Sequence, residues 1–178
     1  LKIFIFYSVL SFIIFILFNL SGIRMFNSLN LSMSLISNGG FLPSNSLKTI
    51  ITSNPQKLVF IFSLIISMLN FFLILNIFKK RTLIQDHRED LNIIILAIIF
   101  ILLIYFQNDS ALVTIISVLS SLSNSGLSLM DSENNLSLYF LLITCIGGSL
   151  VSNSSGIKLA RIYILTKITT AEIIKLIS

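Results

Sequence analysis

Two short runs hold the residue types best suited to chemistry in this chain: Ser37, Asn38, Gly39 and Gly40 ahead of Phe41, and Ser123, Asn124, Ser125 and Gly126 ahead of Leu127. Neither run carries a charged side chain. What they offer a ligand is backbone carbonyls and hydroxyls. Carbonyl oxygens that replace a hydration shell select potassium, whereas rings of acidic side chains serve other cation paths. Gly40 and Gly126 let an extended backbone adopt angles closed to residues with a Cβ. A plain Ser-Asn-Gly turn is the commonest use of the same residues. Two copies, each following a short apolar run, favour ion coordination over the turn.

Other chemistries lack their residues. The single cysteine, Cys145, forms no disulfide within the chain. The single histidine, His87, lies in a charged linker, so a His-based metal site or a Ser–His–Asp arrangement cannot be assembled from this chain alone. HExxH, a Walker-type phosphate loop and a GxGxxG after a strand are all missing from the sequence. An enzyme is not expected, and no covalently bound cofactor is implied. Of the 178 residues, 55% are hydrophobic and 11% charged, with a mean hydropathy of +0.99. A soluble domain carries about 25% charged residues, and disorder needs low hydrophobicity with high charge. The composition therefore points to an integral, all-α membrane protein. The net charge of +5 sits on basic residues beside apolar runs, which reads as a topology signal and not as a nucleic-acid surface.

The elements that must position the two runs follow from four apolar stretches, over 3–20, 58–78, 91–106 and 136–165. A membrane-crossing helix needs roughly 20 apolar residues. The last stretch is interrupted by Gly147, Gly148 and a Ser/Asn/Gly run to Gly156, so it reads as a broken helix. The first, after Lys2, also resembles a signal peptide, but its core exceeds the usual ~7–15 residues and no A-x-A-like site follows. Between the stretches lie segments 22–57 and 107–135, each with a short apolar run (29–36 and 111–122) ending in one of the Ser/Asn/Gly clusters. A helix of ~10 residues rises about 15 Å, half the hydrocarbon depth. Each segment suits a re-entrant hairpin, a half-helix in and extended chain out; two amphipathic surface helices fit the spacing equally. Non-helical backbone at that depth is tolerated only inside protein or along a water-filled path.

The halves align at an offset of 86 residues, which lays 35–41 over 121–127 and 3–20 over 89–106. The expected unit is span, re-entrant hairpin, span, used twice. This divides the chain into a first repeat over 1–78, a linker over 79–90, a second repeat over 91–165 and a tail over 166–178. Lys2, Lys79, Lys80, Arg81, Arg88, Lys158, Arg161, Lys167 and Lys175 fall on one side of this layout, and Arg24, Lys48 and Lys57 on the other with Asp109, Asp131 and Glu133. The excess of basic residues places both termini and the linker in the cytoplasm, with both hairpins open to the outside.

Read together, these runs resemble the potassium-transporting membrane subunits of the Trk/Ktr/HKT superfamily, in which four span–hairpin–span units surround one pore. Residues 34–41, Ser-Leu-Ile-Ser-Asn-Gly-Gly-Phe, are similar to the second filter of that superfamily, S-T-x-S-T-G-G-F. Residues 123–127 are similar to the third, T-T-T-G-F. Residues 147–161 resemble the stretch G-G-C-x-G-S-T-G-G-G-I-K-V-x-R of the bacterial Trk type without a gap. The resemblance covers nearly the whole chain, as the second and third of four units.

The resemblance implies an inner-membrane potassium uptake subunit with Ser37, Asn38, Gly39, Gly40, Ser123, Asn124, Ser125 and Gly126 as the filter around the transported K+. It implies a gate loop just below, over 147–156, with Gly147, Gly148, Ser152, Asn153, Ser154, Ser155 and Gly156; a glycine kink between packed helices is the plainer reading. Lys158 and Arg161 mark the cytoplasmic end of the span, snorkelling to the interface. Val151, Ser154 and Ser155 stand where the superfamily has glycine, and Asn38 and Asn124 where it has threonine. The first and fourth units are missing, and the chain opens with Leu, so a fragment, a partner chain or a second copy of this chain is expected to complete the ring. Two hairpins alone would leave carbonyls facing lipid and should not conduct. Partners implied are membrane lipid, the remaining pore repeats and a cytoplasmic nucleotide-binding regulatory subunit of the TrkA/KtrA type, with no nucleic acid. A sodium-permeable or non-selective transporter, or a non-transporting scaffold or remnant, is the rival reading.

Overall fold

The computed structural model describes residues 2–69, 88–106, 110–130, 137–149 and 152–177. Outside them lie the end of the second apolar stretch (70–78), most of the linker with Lys79, Lys80, Arg81 and His87, the acidic residues Asp109, Asp131 and Glu133, and Leu150 and Val151 of the glycine-rich run.

The described chain is built from helices. Helix α1 covers Lys2–Leu20 and α2 covers Met25–Ser37; a 3-10 turn at Leu47–Thr49 leads into α3, Asn54–Met68. Then come α4 (Arg88–Tyr105), α5 (Ala111–Ser123), α6 (Ser137–Cys145) and α7 (Leu159–Ile177). The all-α expectation needs one amendment. Between α6 and α7, strand β1 (Ile146–Gly147) pairs in parallel with β2 (Ile157–Lys158), Ile146 opposite Ile157. Where α6 stops, the backbone groups still require partners, and this two-residue ladder closes the base of the loop between them.

Among the described residues no helix is long and apolar enough to cross a membrane. Helix α6 stops after 9 residues at the loop, and α7 carries Arg161, Lys167, Glu172 and Lys175.

Local sequence sets the ends that matter. Gly22, at φ 88°, reverses the chain between α1 and α2. Pro55 sits in the first turn of α3, where its missing N–H is no loss. Gln56 Oε1 accepts from the Ser53 N–H at 3.1 Å and the Thr52 N–H at 2.9 Å, and its Nε2 donates to Ser21 O at 3.4 Å. That one side chain ties the start of α3 to the end of α1.

The core runs between the helices: Ile14 and Phe18 of α1, Leu31, Leu35 and Ile36 of α2, Phe60, Leu64 and Met68 of α3, and Ile116, Leu119 and Leu122 of α5 are buried. The rings of Phe18 and Phe60 meet at 6.4 Å between centroids. Helix α2 packs between α1 and α3, and α3 packs along α5, so α3 bridges the two short helices that end in the Ser/Asn/Gly runs. Buried serines inside these helices return their hydroxyls to the preceding turn. Ser32 donates to Leu29 O, Ser63 to Phe60 O, Ser67 to Leu64 O and Ser117 to Val113 O. Such back-bonding meets the hydrogen-bonding need of a buried hydroxyl without a partner element.

Candidate functional site

Helices α2 and α5 are each 13 residues long and end in the same way. The cap residues Asn38 and Asn124 are left-handed, at φ 52° and 57°, a region that asparagine tolerates better than most residues with a Cβ. The Asn38 N–H donates to Leu35 O at 3.3 Å and the Gly39 N–H to Ser34 O at 2.9 Å; the Asn124 N–H donates to Ser121 O at 3.2 Å and the Ser125 N–H to Ser120 O at 3.1 Å. These are the paired bonds of a Schellman cap. Two residues beyond each asparagine, Gly40 and Gly126 are both at φ 69°.

The two ends are brought together. A Cβ on Gly40 would stand 2.6 Å from Ser125 O, so the carbonyl of the second run lies against the α-carbon of the first. Around Gly126 a Cβ would meet nothing within 4 Å. The hydroxyls of the two runs turn elsewhere: Ser37 Oγ donates to Met33 O at 2.8 Å, Ser123 Oγ to Ser120 O at 3.2 Å, and Ser125 Oγ lies 3.0 Å from Ser120 Oγ. Among the described residues no donor reaches the carbonyl oxygens of Asn38, Gly39, Asn124 or Ser125. What the runs present is therefore backbone oxygen.

The glycine-rich loop seats against both ends. Asn153 Nδ2 donates to Ile36 O at 2.6 Å, and Asn124 Nδ2 to Ser155 O at 3.2 Å. Asn38, with its amide in the orientation that satisfies both of its ends, accepts from the Ser154 N–H at 3.2 Å and donates to Ser67 Oγ at 3.2 Å and Leu35 O at 3.1 Å. The Ser149 N–H donates to Met68 O at 3.1 Å, fixing the other limb of the loop to the end of α3. Gly147 and Gly148 are required by this closeness: a Cβ on Gly147 would run into the Ser155 carbonyl, and one on Gly148 would lie 2.5 Å from both Met68 O and Ser154 Oγ. Gly156 turns the chain at φ 84° beside the Asn124 amide.

Ser154 builds a polar centre for the loop. Its buried hydroxyl accepts from the Gly148 N–H at 2.8 Å and lies 2.8 Å from Ser152 Oγ. Lys158 differs from the snorkelling expected of it. Its ammonium folds back onto the loop, donating to Ser154 O, to Ser154 Oγ at 3.0 Å and to Ser152 Oγ at 3.4 Å. The loop oxygens cluster one turn from its own backbone, within reach of the folded side chain. Arg161 is exposed. Of the positions singled out in the sequence, the structure brings Asn38, Asn124, Asn153, Ser154 and Ser155 together, and it adds Ser67, Met68 and Ile36, which no residue pattern marked.

No known family profile matches the chain, and no curated protein matches it. Among solved structures, the chain is similar to the potassium transporter TrkH from Vibrio parahaemolyticus, at 22% sequence identity and a TM-score of 0.85 over 99% of this chain. The chain spans 41% of the length of that transporter. The fold is TrkH-like, and the protein it resembles is a transporter and not an enzyme.

Proposed function

We propose that this chain supplies two of the hairpins of a potassium pathway across a cytoplasmic membrane, with the Asn38 and Asn124 turns as part of a carbonyl filter and the 147–156 loop as its gate. The observation that carries this is the meeting of the two turns. Two uncharged runs, each after a half-length helix, converge at Gly40 and Ser125 with backbone carbonyls that take no donor among the described residues. Carbonyl oxygens in that state are suited to replace the hydration shell of a potassium ion. The driving force is the membrane potential, about 2.3 kcal/mol per charge per 100 mV, so this chain needs no nucleotide site. The likeness to a potassium transporter supports the choice of ion.

The outer faces support the membrane. Phe4, Phe12 and Ile16 of α1, Ile95, Ile99 and Leu102 of α4, and Leu138 and Leu141 of α6 are exposed, a distribution suited to lipid and not to water. Further hairpins complete the ring. Met33 of α2 is 60% exposed where its counterpart Leu119 of α5, on the helix that packs with α3, is 3%, and Phe41 is 80% exposed where Leu127 is 1%. The bare face of α2 is thus the one that a helix equivalent to α3, from another span–hairpin–span unit, would cover. A nucleotide-binding regulatory ring would meet the cytoplasmic face, at the basic 79–90 linker and the 166–178 tail.

The test is potassium-limited growth of a bacterial host stripped of its own uptake systems, with the chain inserted beside the hairpins that complete the ring. Rescue that Gly40→Ala abolishes at equal membrane insertion is the expected result. Rescue that is indifferent to Gly40→Ala, or no rescue at all from a fully inserted ring, would overturn the reading.

A further inference from the structure

The geometry points to Asn38, Asn124 and Asn153 as positioning residues that clasp the gate loop shut against the two filter turns, their amides serving the loop and not the ion. This deepens the function proposed above and rests on the gate reading of the loop. Three consecutive loop residues each take a different anchor. Asn153 donates to Ile36 O, in the last turn of α2; the Ser154 N–H donates to the Asn38 cap; and Ser155 O accepts from the Asn124 cap. The anchors lie 117 and 31 residues away along the chain from Asn153 and Ser155, so the loop joins both hairpins to the segment that blocks the path between them.

Asparagine fits this task on two counts. It accepts the left-handed cap conformation that each helix end requires. It also presents a donor and an acceptor at the end of a short arm, so Asn38 accepts from the loop while donating to Ser67 Oγ and Leu35 O. A filter turn that moves carries its cap amide with it, and the loop is released or held accordingly. Removing an anchor leaves the filter carbonyls in place but weakens the closed loop.

The experiment uses the complete transporter in lipid vesicles, with Cys145→Ser to remove the native thiol of this chain and Ser149→Cys as reporter. Ser149 is fully buried and its hydroxyl has no hydrogen-bond partner among the described residues, so the thiol displaces no bond. Reaction of that thiol with a methanethiosulfonate reports loop opening, and rubidium flux is read in the same vesicles. The clasp variants are Asn38→Gly and Asn124→Gly, since glycine keeps the left-handed backbone without strain, and Asn153→Ala. Each should speed labelling roughly fivefold, the factor equivalent to one hydrogen bond of ~1 kcal/mol, and each should raise rubidium flux, which a merely structural loss would lower. Asn153→Asp, of the same shape but without the donor, should behave like Asn153→Ala; a packing role would leave it like the parent. Asn30→Ala, which removes only a local bond to Phe26 O, should change neither readout. Labelling unchanged in all three clasp variants overturns the inference and leaves the transport reading intact. Labelling that accelerates while neither parent nor variants pass rubidium refutes the transport reading and leaves the clasp standing.

Discussion

Gly40 and Gly126 stand at matching places in the two turns with the same φ of 69°, yet alanine should affect them unequally. Holding an L-residue in the left-handed region costs about 1–2 kcal/mol, and both substitutions incur it. At Gly126 that is the whole effect, because a Cβ there meets nothing within 4 Å. At Gly40 the Cβ would lie 2.6 Å from Ser125 O, where ordinary contact begins near 3.4 Å. Either the carbonyl or the turn must move by most of an ångström. Overpacking of this kind costs about 1–3 kcal/mol more, for a total of about 2–5 kcal/mol. The displaced group is itself a proposed ion ligand, so the functional effect should exceed the structural one. Denaturant unfolding of the complete protein, paired with rubidium-against-sodium flux in vesicles, separates the two. Gly40→Ala should be the less stable variant by about 1–3 kcal/mol and should lose discrimination between the ions, while Gly126→Ala keeps most of it. Equal destabilisation, or greater harm at Gly126, would show that the turns do not meet at Gly40 and Ser125.

Gly148→Ala pushes against Met68 O and Ser154 Oγ, two walls fixed by hydrogen bonds, and should unseat the loop at about 1–3 kcal/mol; the expected sign is a higher basal rubidium flux with the ion preference retained, and a tighter loop would contradict it. Lys158→Met keeps the length and apolar stem but withdraws the ammonium from Ser152 and Ser154. Bonds to charged groups contribute about 1.5–3 kcal/mol when buried, and the half-buried setting here discounts this to about 1–2 kcal/mol, read as faster proteolysis or labelling of the loop; no change would mean that the ammonium is not holding it.

The half-length of α2 and α5 was readable because apolar residues at helical spacing stop abruptly at an Asn–x–Gly that cannot continue a helix easily. The interruption of the last helix was equally plain, since Gly147 and Gly148 break an apolar run that would otherwise propagate. What local pattern could not convey was where side chains turn once three separate segments meet. The hydroxyls of Ser37 and Ser123 each bond a carbonyl of their own helix, and the asparagine amides reach the loop. Lys158 folds inward because the loop oxygens lie one turn from its own backbone. Ile36 and Met68 contribute only carbonyls, which no residue type announces. The β1–β2 ladder escaped for the same reason: two residues on each side carry no alternating pattern long enough to mark a strand.

The lack of charge at the two turns is itself informative when set against the helices that end there. Each helix directs the negative end of its peptide dipoles, equivalent to roughly half an elementary charge, toward its last turn. Helices α2 and α5 carry no basic residue in that turn, so nothing neutralises the field. Both terminate at the meeting point of Gly40 and Ser125, and their Schellman caps consume carbonyls of the helix while leaving those of the cap residues and their neighbours without donors among the described residues. An acidic side chain there would bind a cation more strongly, but it would also retain it. In the proposed pathway, partial charges from two helix ends and a few carbonyl dipoles would attract a monovalent cation and still let it leave, as conduction requires. On the proposed reading, neutral amides also suit the clasp: a carboxylate at Asn38 or Asn124 would oppose the helix dipole it caps and would compete with the carbonyls for the ion.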